Sequence, residues 1–237
     1  MGSKRNKSIK SIDLFAGCGG LMDGFEQSGH YNTIAAVEWE KAPCANLANR
    51  LKTKLGYEDA SDRVLQFDIQ RTDELFYGWK DDSYGSSEGL DKLIQDAGGL
   101  DIIIGGPPCQ AYSIAGRVRD EHGMKNDYRN YLFESYIEVV EKYKPKMFVF
   151  ENVPGILSAQ PGDRPIIEII QESFLKAGYS VLQNLSNAVI DFTDYGVPQN
   201  RKRIIIIGLS VEYFGKENCE KLLNLFYEKY LPKYKTE

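Results

Sequence analysis

Short runs of β-forming residues alternate with amphipathic, helix-like segments along most of this chain. That alternation is typical of α/β folds, in which helices cover both faces of a largely parallel sheet. Two apolar runs, at 101–106 and 204–208, are continuous, as expected of strands buried on both faces. The predicted strands are Ile9–Phe15, Thr33–Trp39, Val64–Asp68, Asp101–Gly105, Met147–Glu151, Val181–Ala188 and Arg203–Leu209. Together they predict a doubly wound, Rossmann-like sheet of about seven strands.

Three helices and two irregular segments complete the predicted architecture. The helices are expected at Tyr128–Tyr143, Lys216–Tyr230 and Arg164–Ala177, the last of them capped by Asp163. Asp81–Gly89 is interpreted as a surface insertion before a short helix. Gln110–Asp127 is a long polar loop, and loops of that length in compact domains are usually functional.

The 237 residues include 42% hydrophobic residues and carry a net charge of −5, which argues against a generic polyanion binder. No apolar run approaches the length of a membrane span. The four cysteines lack CxxC spacing, so neither a zinc module nor a disulfide scaffold is predicted; Cys18, Cys44 and Cys219 are interpreted as buried structural thiols. Residues 1–10 are a basic tail without the apolar segment of a secretory signal. One cytoplasmic domain, residues 11–237, without a metal is therefore predicted.

A glycine-rich segment, Asp13–Gly20, starts within the last residues of the first predicted strand and continues beyond it, and Glu38 and Trp39 close the second. Glycines at a strand-to-helix turn let a ligand approach the backbone, and an acid at the next strand tip can bind ribose hydroxyls. Met22 stands where the dinucleotide fingerprint has its third glycine, which disfavours a pyrophosphate site. An adenosyl ligand fits better, with Glu38 on the ribose, Trp39 against adenine and Asp68 accepting from the adenine amino group.

Cys109 lies in the segment Gly-Gly-Pro-Pro-Cys-Gln, at the C-terminal end of the fourth predicted strand. Ligands bind at that edge of doubly wound sheets, and the two prolines stiffen the approach of the thiol. Glu151, at the tip of the fifth strand, is a candidate proton donor or hydrogen-bond partner. The basic cluster at 201–203 is by itself typical of a solvated surface, so its interpretation depends on the other motifs.

In this order and spacing, the motifs resemble the cytosine-C5 DNA methyltransferase family, whose members use S-adenosylmethionine. The resemblance covers nearly the whole chain. The matching segments are DLFAGCGG (13–20), VEW (37–39), the Asp68 strand tip, GGPPCQAYS (105–113), RNYLF (129–133), ENV (151–153) and DYGVPQNRKR (194–203).

The resemblance implies a role for each matching residue. Cys109 is then the nucleophile, Glu151 holds the base at N3, Arg203 contacts the base O2 and Arg201 braces the site. The implied cofactor site is lined by Phe15, Gly17, Gly19, Gly20, Glu38, Trp39, Asp68, Pro108 and Leu132. The implied DNA-facing residues are Gln110, Ser113 and Arg129.

The chemistry has its own physical logic. Carbon 5 of cytosine is a poor nucleophile, so a thiolate must first add to carbon 6 before carbon 5 attacks the sulfonium methyl group. Because the base is stacked inside the duplex, it must be flipped out at a cost of about a few kcal/mol. We therefore predict methyl transfer to duplex DNA, with S-adenosylhomocysteine as product.

Members of this family normally continue into a target-recognition domain and a final Asn-containing motif, yet no GNSV-like segment occurs here. Either the enzyme is split, with those parts on a second polypeptide, or the chain is truncated. We favour the split enzyme, in a bacterial restriction-modification system. The DNA sequence recognised is not predicted, because the missing element is the one that reads it.

Three alternatives stay open. A transfer-RNA cytosine-C5 methyltransferase has the same scaffold, but the Cys-Phe-Thr signature of that branch is absent. A non-catalytic adenosyl-binding subunit has no need to keep Cys109, Glu151 and Arg203 together. A nicotinamide-dependent dehydrogenase is disfavoured by Met22.

Overall fold

The computed structural model describes residues 9–108, 132–160 and 163–236. The chain divides into two compact units, Met1–Gly106 and Pro107–Glu237. Within the described ranges, no helix is both long enough and apolar enough to span a membrane.

The described part of the first unit forms strands and helices in alternation. The strands are β1 (Ile9–Leu14), β2 (Tyr31–Glu38), β3 (Val64–Gln66), β4 (Trp79–Asp81), β5 (Gly85–Ser87) and β6 (Ile102–Gly105). The helices are α1 (Gly20–Gln27), α2 (Lys41–Leu55), α3 (Ala60–Arg63), α4 (Thr72–Tyr77) and α5 (Gly89–Asp96).

Four of these strands form a parallel sheet in the order β3-β2-β1-β6. Ile12 and Leu14 of β1 are fully buried, and the three isoleucines of β6 are buried as predicted. The order of the strands reverses between β1 and β6. In sheets of this kind, the crevice at the carboxyl ends of the strands beside such a reversal is where ligands bind.

The segment predicted as a surface insertion is more regular than expected, since it belongs to the antiparallel hairpin β4–β5. The Trp79 ring stacks on Phe67 with centroids 3.9 Å apart, and its Nε1 donates to the Tyr84 carbonyl oxygen at 3.2 Å. The Asp81 carboxylate accepts from the Tyr84 backbone N–H at 2.7 Å. The stacking of Trp79 on buried Phe67 and the bond from the Tyr84 N–H to Asp81 across the turn explain why this segment forms a hairpin.

The described part of the second unit is mainly antiparallel. Its strands are β7 (Met147–Asn152), β8 (Tyr179–Ser180), β9 (Val189–Asp191) and β10 (Lys202–Ser210). Its α-helices are α6 (Leu132–Tyr143), α7 (Ile166–Lys176), α8 (Val211–Phe214) and α9 (Lys216–Asn224). Strand β10 pairs with β7 on one side and with β9 and β8 on the other.

Aromatic rings form the core of this unit. Tyr136 of α6 is fully buried, and its hydroxyl donates to the Val149 carbonyl oxygen at 3.1 Å. The buried rings around it are Phe148, Phe150 and Phe174. Helix α6 therefore packs on β7 and holds that strand in place. The first residues of the helix predicted at Tyr128–Tyr143 lie outside the described ranges.

The predicted strand Val181–Ala188 is wrong. The chain leaves the sheet after β8 and forms a 3₁₀ turn at Leu185–Ala188 before β9 begins. The Asn184 side chain accepts from the Ser186 backbone N–H at 3.1 Å, and Gln171 donates to the carbonyl oxygens of Leu182 and Gln183. These side-chain bonds replace the strand pairing that β-propensity predicted.

Two helix predictions also need correction. Asp163 does not cap α7, which begins at Ile166 with Pro165 at its N-cap in an extended conformation. A residue that precedes proline is disfavoured in the helical region, so Arg164 cannot start the helix. The helix predicted through Tyr230 ends as an α-helix at Asn224 and continues as a π-helix, Leu225–Tyr230.

The run 204–208 was predicted to be a strand buried on both faces, but only one of its faces is buried. Ile204 and Ile206 are buried, whereas Ile205 and Ile207 are half-buried. Between its pairings with β9 and β8, this part of β10 contacts the π-helical segment. The Tyr227 hydroxyl donates to the Ile205 carbonyl oxygen at 2.6 Å and accepts from the Ile207 N–H at 3.2 Å.

Candidate functional site

The turn after β1 has an unusual backbone. Phe15 has φ 58°, a left-handed value that non-glycine residues rarely adopt, and Gly19 has φ 81°. A Cβ at Gly19 would also overlap the Leu47 side chain. Such strain is typical of functional sites, because the surrounding structure must hold it in place.

Gly20 is the first residue of α1. Neither a positive φ nor a close neighbouring side chain explains why this residue is a glycine. Its φ is not positive, and among the described residues a Cβ built on it would meet no atom within 4 Å apart from its chain neighbours and the backbone of its own helix. Neither backbone conformation nor packing against protein therefore accounts for the missing side chain. The open space beside it at the sheet edge has the character expected of a ligand cradle.

Glu38 ends β2 and reaches back to the same turn. Its Oε2 accepts from the Gly17 backbone N–H at 2.7 Å, and its Oε1 accepts from the Glu40 N–H at 2.9 Å. A carboxylate has about four acceptor positions, so both oxygens keep capacity for the hydroxyls of a ribose. The structure thus brings Glu38 and Gly17 together, as the predicted site requires.

The other two predicted adenosyl contacts lie at neighbouring strand ends. Trp39 follows β2 directly and is 55% exposed, and its Nε1 donates to the Tyr84 hydroxyl at 3.0 Å. Asp68 lies two residues beyond β3 and accepts from the Gln70 N–H at 3.0 Å. The Phe67 N–H donates to the Glu38 carbonyl oxygen at 3.0 Å, which joins the two strand ends.

Asp13, a β1 residue that the sequence analysis did not single out for a role, is buried beneath this turn. Its Oδ2 accepts from the Met22 N–H in the first turn of α1 at 3.3 Å, where the N-cap residue Gly19 has no side chain to do so. Burial raises the pKa of Asp13 to about 8, against the opposing effect of the Met22 N–H, and the Glu38 carboxylate adds to the rise. Asp13 is therefore a structural part of the turn.

Cys18 is exposed, which corrects its interpretation as a buried thiol. It lies at the tip of the glycine-rich turn, where the chain leaves the sheet edge. Cys44 and Cys219 are buried as predicted.

In the second unit, one carboxylate contacts two guanidinium groups. The Arg203 Nε lies 2.9 Å from the Glu151 Oε1, and the Arg201 Nη2 lies 3.5 Å from the same oxygen. Strand pairing explains the approach, because Glu151 of β7 lies opposite Ile205 of β10, two residues beyond Arg203. The carboxylate and the Arg203 side chain are 24% and 22% exposed, so the cluster is accessible from outside.

Asn152, another residue without an assigned role, anchors the segment that leads to Cys109. It is buried, and its Nδ2 donates to the Pro107 carbonyl oxygen at 3.2 Å. Its Oδ1 accepts from the Val153 N–H at 2.8 Å, which fixes the orientation of the amide. The chain two residues before Cys109 is thereby bonded to the residue that follows Glu151.

The remaining predicted residues divide into two groups. Pro108 is half-buried, and Leu132 is buried as the first described residue of α6. The roles predicted for Cys109, Gln110, Ser113 and Arg129, and for the loop Gln110–Asp127, fall on residues outside the described ranges. They stay predictions.

Comparisons with known proteins agree on one family. The family model for the C-5 cytosine-specific DNA methylase matches residues 9–234. The chain is 39% identical over 246 residues to the type II methyltransferase M.Bpa9945I of Bacillus paralicheniformis, covering 85% of this chain and 55% of that protein. It is 37% identical over 199 residues to M.DdeI of Desulfomicrobium norvegicum, covering 84% of this chain and 40% of that protein. The chain thus spans about half the length of these relatives.

Solved structures show the same fold. A DNA modification methyltransferase encoded within a prophage, from E. coli, matches with a TM-score of 0.60 and 26% identity, over 86% of this chain and 47% of that one. Spodoptera frugiperda DNMT2 matches with a TM-score of 0.57 and 18% identity, over 87% of this chain and 51% of that one, a likeness of fold alone. The predicted α/β fold is confirmed.

Proposed function

This chain belongs to the C-5 cytosine-specific DNA methylase family, as its motifs predicted, and we propose that it transfers a methyl group from S-adenosylmethionine to carbon 5 of cytosine in duplex DNA. The observation that carries the proposal is the Glu151 carboxylate held between Arg201 and Arg203. Those three residue types supply what an electron-poor pyrimidine needs, namely a hydrogen-bonding group for N3 and cations for O2.

The first unit fits an adenosyl ligand. The Glu38 carboxylate has acceptor capacity for ribose hydroxyls, and the open space at Gly20 leaves room for a ligand beside the turn. The Trp39 ring is exposed and available for stacking on a base. We assign the cofactor contacts to Phe15, Gly17, Gly19, Gly20, Glu38, Trp39, Asp68, Pro108 and Leu132.

In the proposed reaction, the Cys109 thiolate forms a bond to carbon 6 of a flipped cytosine. The electron pair displaced from the C5–C6 double bond then forms the bond from carbon 5 to the methyl group. S-adenosylmethionine, when bound, would supply that methyl group as an electrophile, its S–CH3 bond breaking to leave S-adenosylhomocysteine. Loss of the carbon 5 proton to a base and departure of the thiolate restore the ring.

Each chain residue in this proposal has a distinct task. Glu151 holds N3 and stabilises the charge that thiol addition places on the ring, and Arg203 stabilises charge at O2. Arg201 lies 3.5 Å from the same Glu151 oxygen and braces the carboxylate. Asn152 steadies the backbone that leads to Cys109 through its bond to Pro107. Gln110, Ser113 and Arg129 are assigned to the DNA side of the site.

We further propose that DNA sequence recognition comes from a second polypeptide, within a bacterial restriction-modification system. The relatives named above are type II methyltransferases, and this chain spans 55% and 40% of their lengths. The net charge of −5 agrees with the proposal of a second polypeptide, because the contacts to DNA phosphates would then lie mainly on that partner.

Transfer of tritium from labelled S-adenosylmethionine tests the proposal. The chain is assayed with and without candidate partners, on duplex DNA and on transfer RNA, with Cys109→Ser as the matched control. We expect labelled 5-methylcytosine in DNA only when an intact Cys109 is present. Label confined to transfer RNA would replace the DNA proposal, and robust site-specific turnover by the chain alone would refute the second polypeptide.

A further inference from the structure

We propose that Tyr84 is a positioning residue of the adenosyl site, whose hydroxyl holds the Trp39 ring in the orientation that contacts adenine. The inference rests on the proposed function of Trp39. It gives a role to the hairpin β4–β5, the segment that the sequence analysis interpreted only as a surface insertion.

The central contact joins residues 45 positions apart. The Trp39 Nε1 donates to the Tyr84 hydroxyl at 3.0 Å. An indole has a single N–H donor and no acceptor, so this bond uses its whole hydrogen-bonding capacity. Because Trp39 is 55% exposed, packing alone leaves more than one side-chain rotamer open to it. The hydroxyl of Tyr84 selects the rotamer in which the indole N–H points at the hairpin.

Tyr84 can act in this way because it is itself held. Its backbone N–H donates to Asp81 at 2.7 Å, and its carbonyl oxygen accepts from the Trp79 Nε1 at 3.2 Å. Its ring packs edge-to-face on Phe67, with centroids 5.2 Å apart. Neither the backbone bonds nor the ring contact needs the hydroxyl, so the hydroxyl group can be removed without disturbing the hairpin.

Arg71 joins the hairpin to the adjacent strand end. Its Nη1 lies 2.7 Å from the Asp81 carboxylate, and its guanidinium carbon lies 4.8 Å from the centre of the Phe67 ring. Its backbone N–H donates to the carbonyl oxygen of Asp68, the residue proposed to accept from the adenine amino group, at 3.0 Å. The hairpin therefore contacts both residues that are proposed to recognise adenine, Trp39 directly and Asp68 through Arg71.

A double-mutant cycle on the full 237-residue chain tests the inference, with S-adenosylhomocysteine as the probe and calorimetry for its affinity. The variants are Tyr84→Phe, Trp39→Phe and the pair. Tyr234→Phe is the control, since Tyr234 is 74% exposed. We expect Tyr84→Phe to weaken binding roughly two- to tenfold, as the loss of one hydrogen bond predicts. In the Trp39→Phe background, which lacks the indole N–H, the same change should have no further effect.

Fluorescence supplies an independent readout, because the protein has two tryptophans, of which Trp39 is exposed and Trp79 is 7% exposed. Acrylamide should quench the exposed tryptophan more strongly in Tyr84→Phe than in the parent, while the buried tryptophan stays protected. Unchanged quenching and unchanged affinity would overturn the inference. So would equal weakening by Tyr84→Phe in the parent and Trp39→Phe backgrounds, because the hydroxyl would then act elsewhere.

A Trp39→Ala variant separates this inference from the proposed function. If Trp39→Ala weakens S-adenosylhomocysteine binding and Tyr84→Phe does not, only the role of Tyr84 is wrong. If Trp39→Ala binds S-adenosylhomocysteine as tightly as the parent does, the proposed contact of Trp39 with adenine is wrong. The proposed role of Tyr84 is then wrong as well.

Discussion

The Nε of Arg203 lies 2.9 Å from Oε1 of Glu151, across the antiparallel pair β7–β10. Arg201 approaches the same oxygen at 3.5 Å. In the proposed reaction the pair has two uses, because Arg203 orients the carboxylate and also contacts the base. We therefore expect the loss of this pair to appear in catalysis.

The first prediction concerns this pair. Arg203→Ala should lower kcat by about 10²-fold or more, since a lost preorganised contact to developing charge typically costs that much. Lys202→Ala is the matched control, because Lys202 lies next in the chain but pairs with Asp191 at 3.0 Å. Steady-state methylation checks both variants. Equal activities for the two would contradict the assigned role of Arg203.

The second prediction concerns the open space beside α1. Gly20→Leu should weaken S-adenosylhomocysteine binding by about tenfold or more, because filling a ligand's place with a side chain costs roughly 1–3 kcal/mol. Gly24→Leu is the control on the same helix, since among the described residues a Cβ at Gly24 also meets nothing within 4 Å outside its own helix backbone and chain neighbours. Neither change should lower the melting temperature, because leucine favours helix over glycine. Equal affinities of the two variants would show that the space at Gly20 is not a ligand cradle.

The third prediction is a pH dependence. The folded-state pKa of Asp13 is about 8, above its ordinary value of 3.8. Between these values the folded state binds more protons at Asp13 than the unfolded state does. Asp13 therefore lowers the free energy of unfolding as pH rises from about 4 to 8, by at most about 1.4 kcal/mol per pH unit.

Asp13→Asn keeps an acceptor for the Met22 N–H and removes this titration. Urea unfolding at several pH values should show a flatter profile for the variant, with greater stability than the parent near pH 7. Asp62→Asn, at an exposed position on α3, is the matched control for the change of an aspartate to asparagine. An unaltered slope in Asp13→Asn would mean that the carboxyl titrates normally.

The fourth prediction concerns the edge of β10. Tyr227→Phe leaves the Ile205 carbonyl and the Ile207 N–H without the hydroxyl that bonds to both. Losing a partner for buried backbone groups costs about 1–3 kcal/mol, and these groups are half-buried, so the free energy of unfolding should fall by about 1 kcal/mol. Tyr234→Phe, at a position that is 74% exposed, should change it by less than about 0.5 kcal/mol. Equal urea midpoints for the two variants would contradict this account of the strand edge.

Much of the first unit could be predicted because its signals are local. Strands β1 and β6 are short apolar runs, and parallel strands place Glu38 and Asp68 at one edge of the sheet once the strands are recognised. Family membership could be predicted because the order of the motifs can be read from a single sequence. The roles of Cys109, Gln110, Ser113 and Arg129 stay predictions, since those residues lie outside the described ranges.

The remaining features depend on contacts between distant residues. The bonds from Trp39 to Tyr84 and from Asn152 to Pro107 each join residues 45 positions apart, and no spacing rule predicts them. The segment 181–188 was predicted as a strand as one of the short β-forming runs. Side-chain bonds from Asn184 and Gln171 redirect it, a case in which local hydrogen bonding prevails over β-propensity.

The central claim is that Cys109 attacks carbon 6 of a flipped cytosine. Mass spectrometry of the chain with S-adenosylmethionine, a 5-fluorocytosine duplex and a partner that supports tritium transfer tests it most directly. Fluorine at carbon 5 blocks release of the enzyme, so a protein–DNA adduct should accumulate through Cys109 and vanish in Cys109→Ser. Absence of an adduct under conditions that support methyl transfer, or an adduct that persists in Cys109→Ser, would contradict the account.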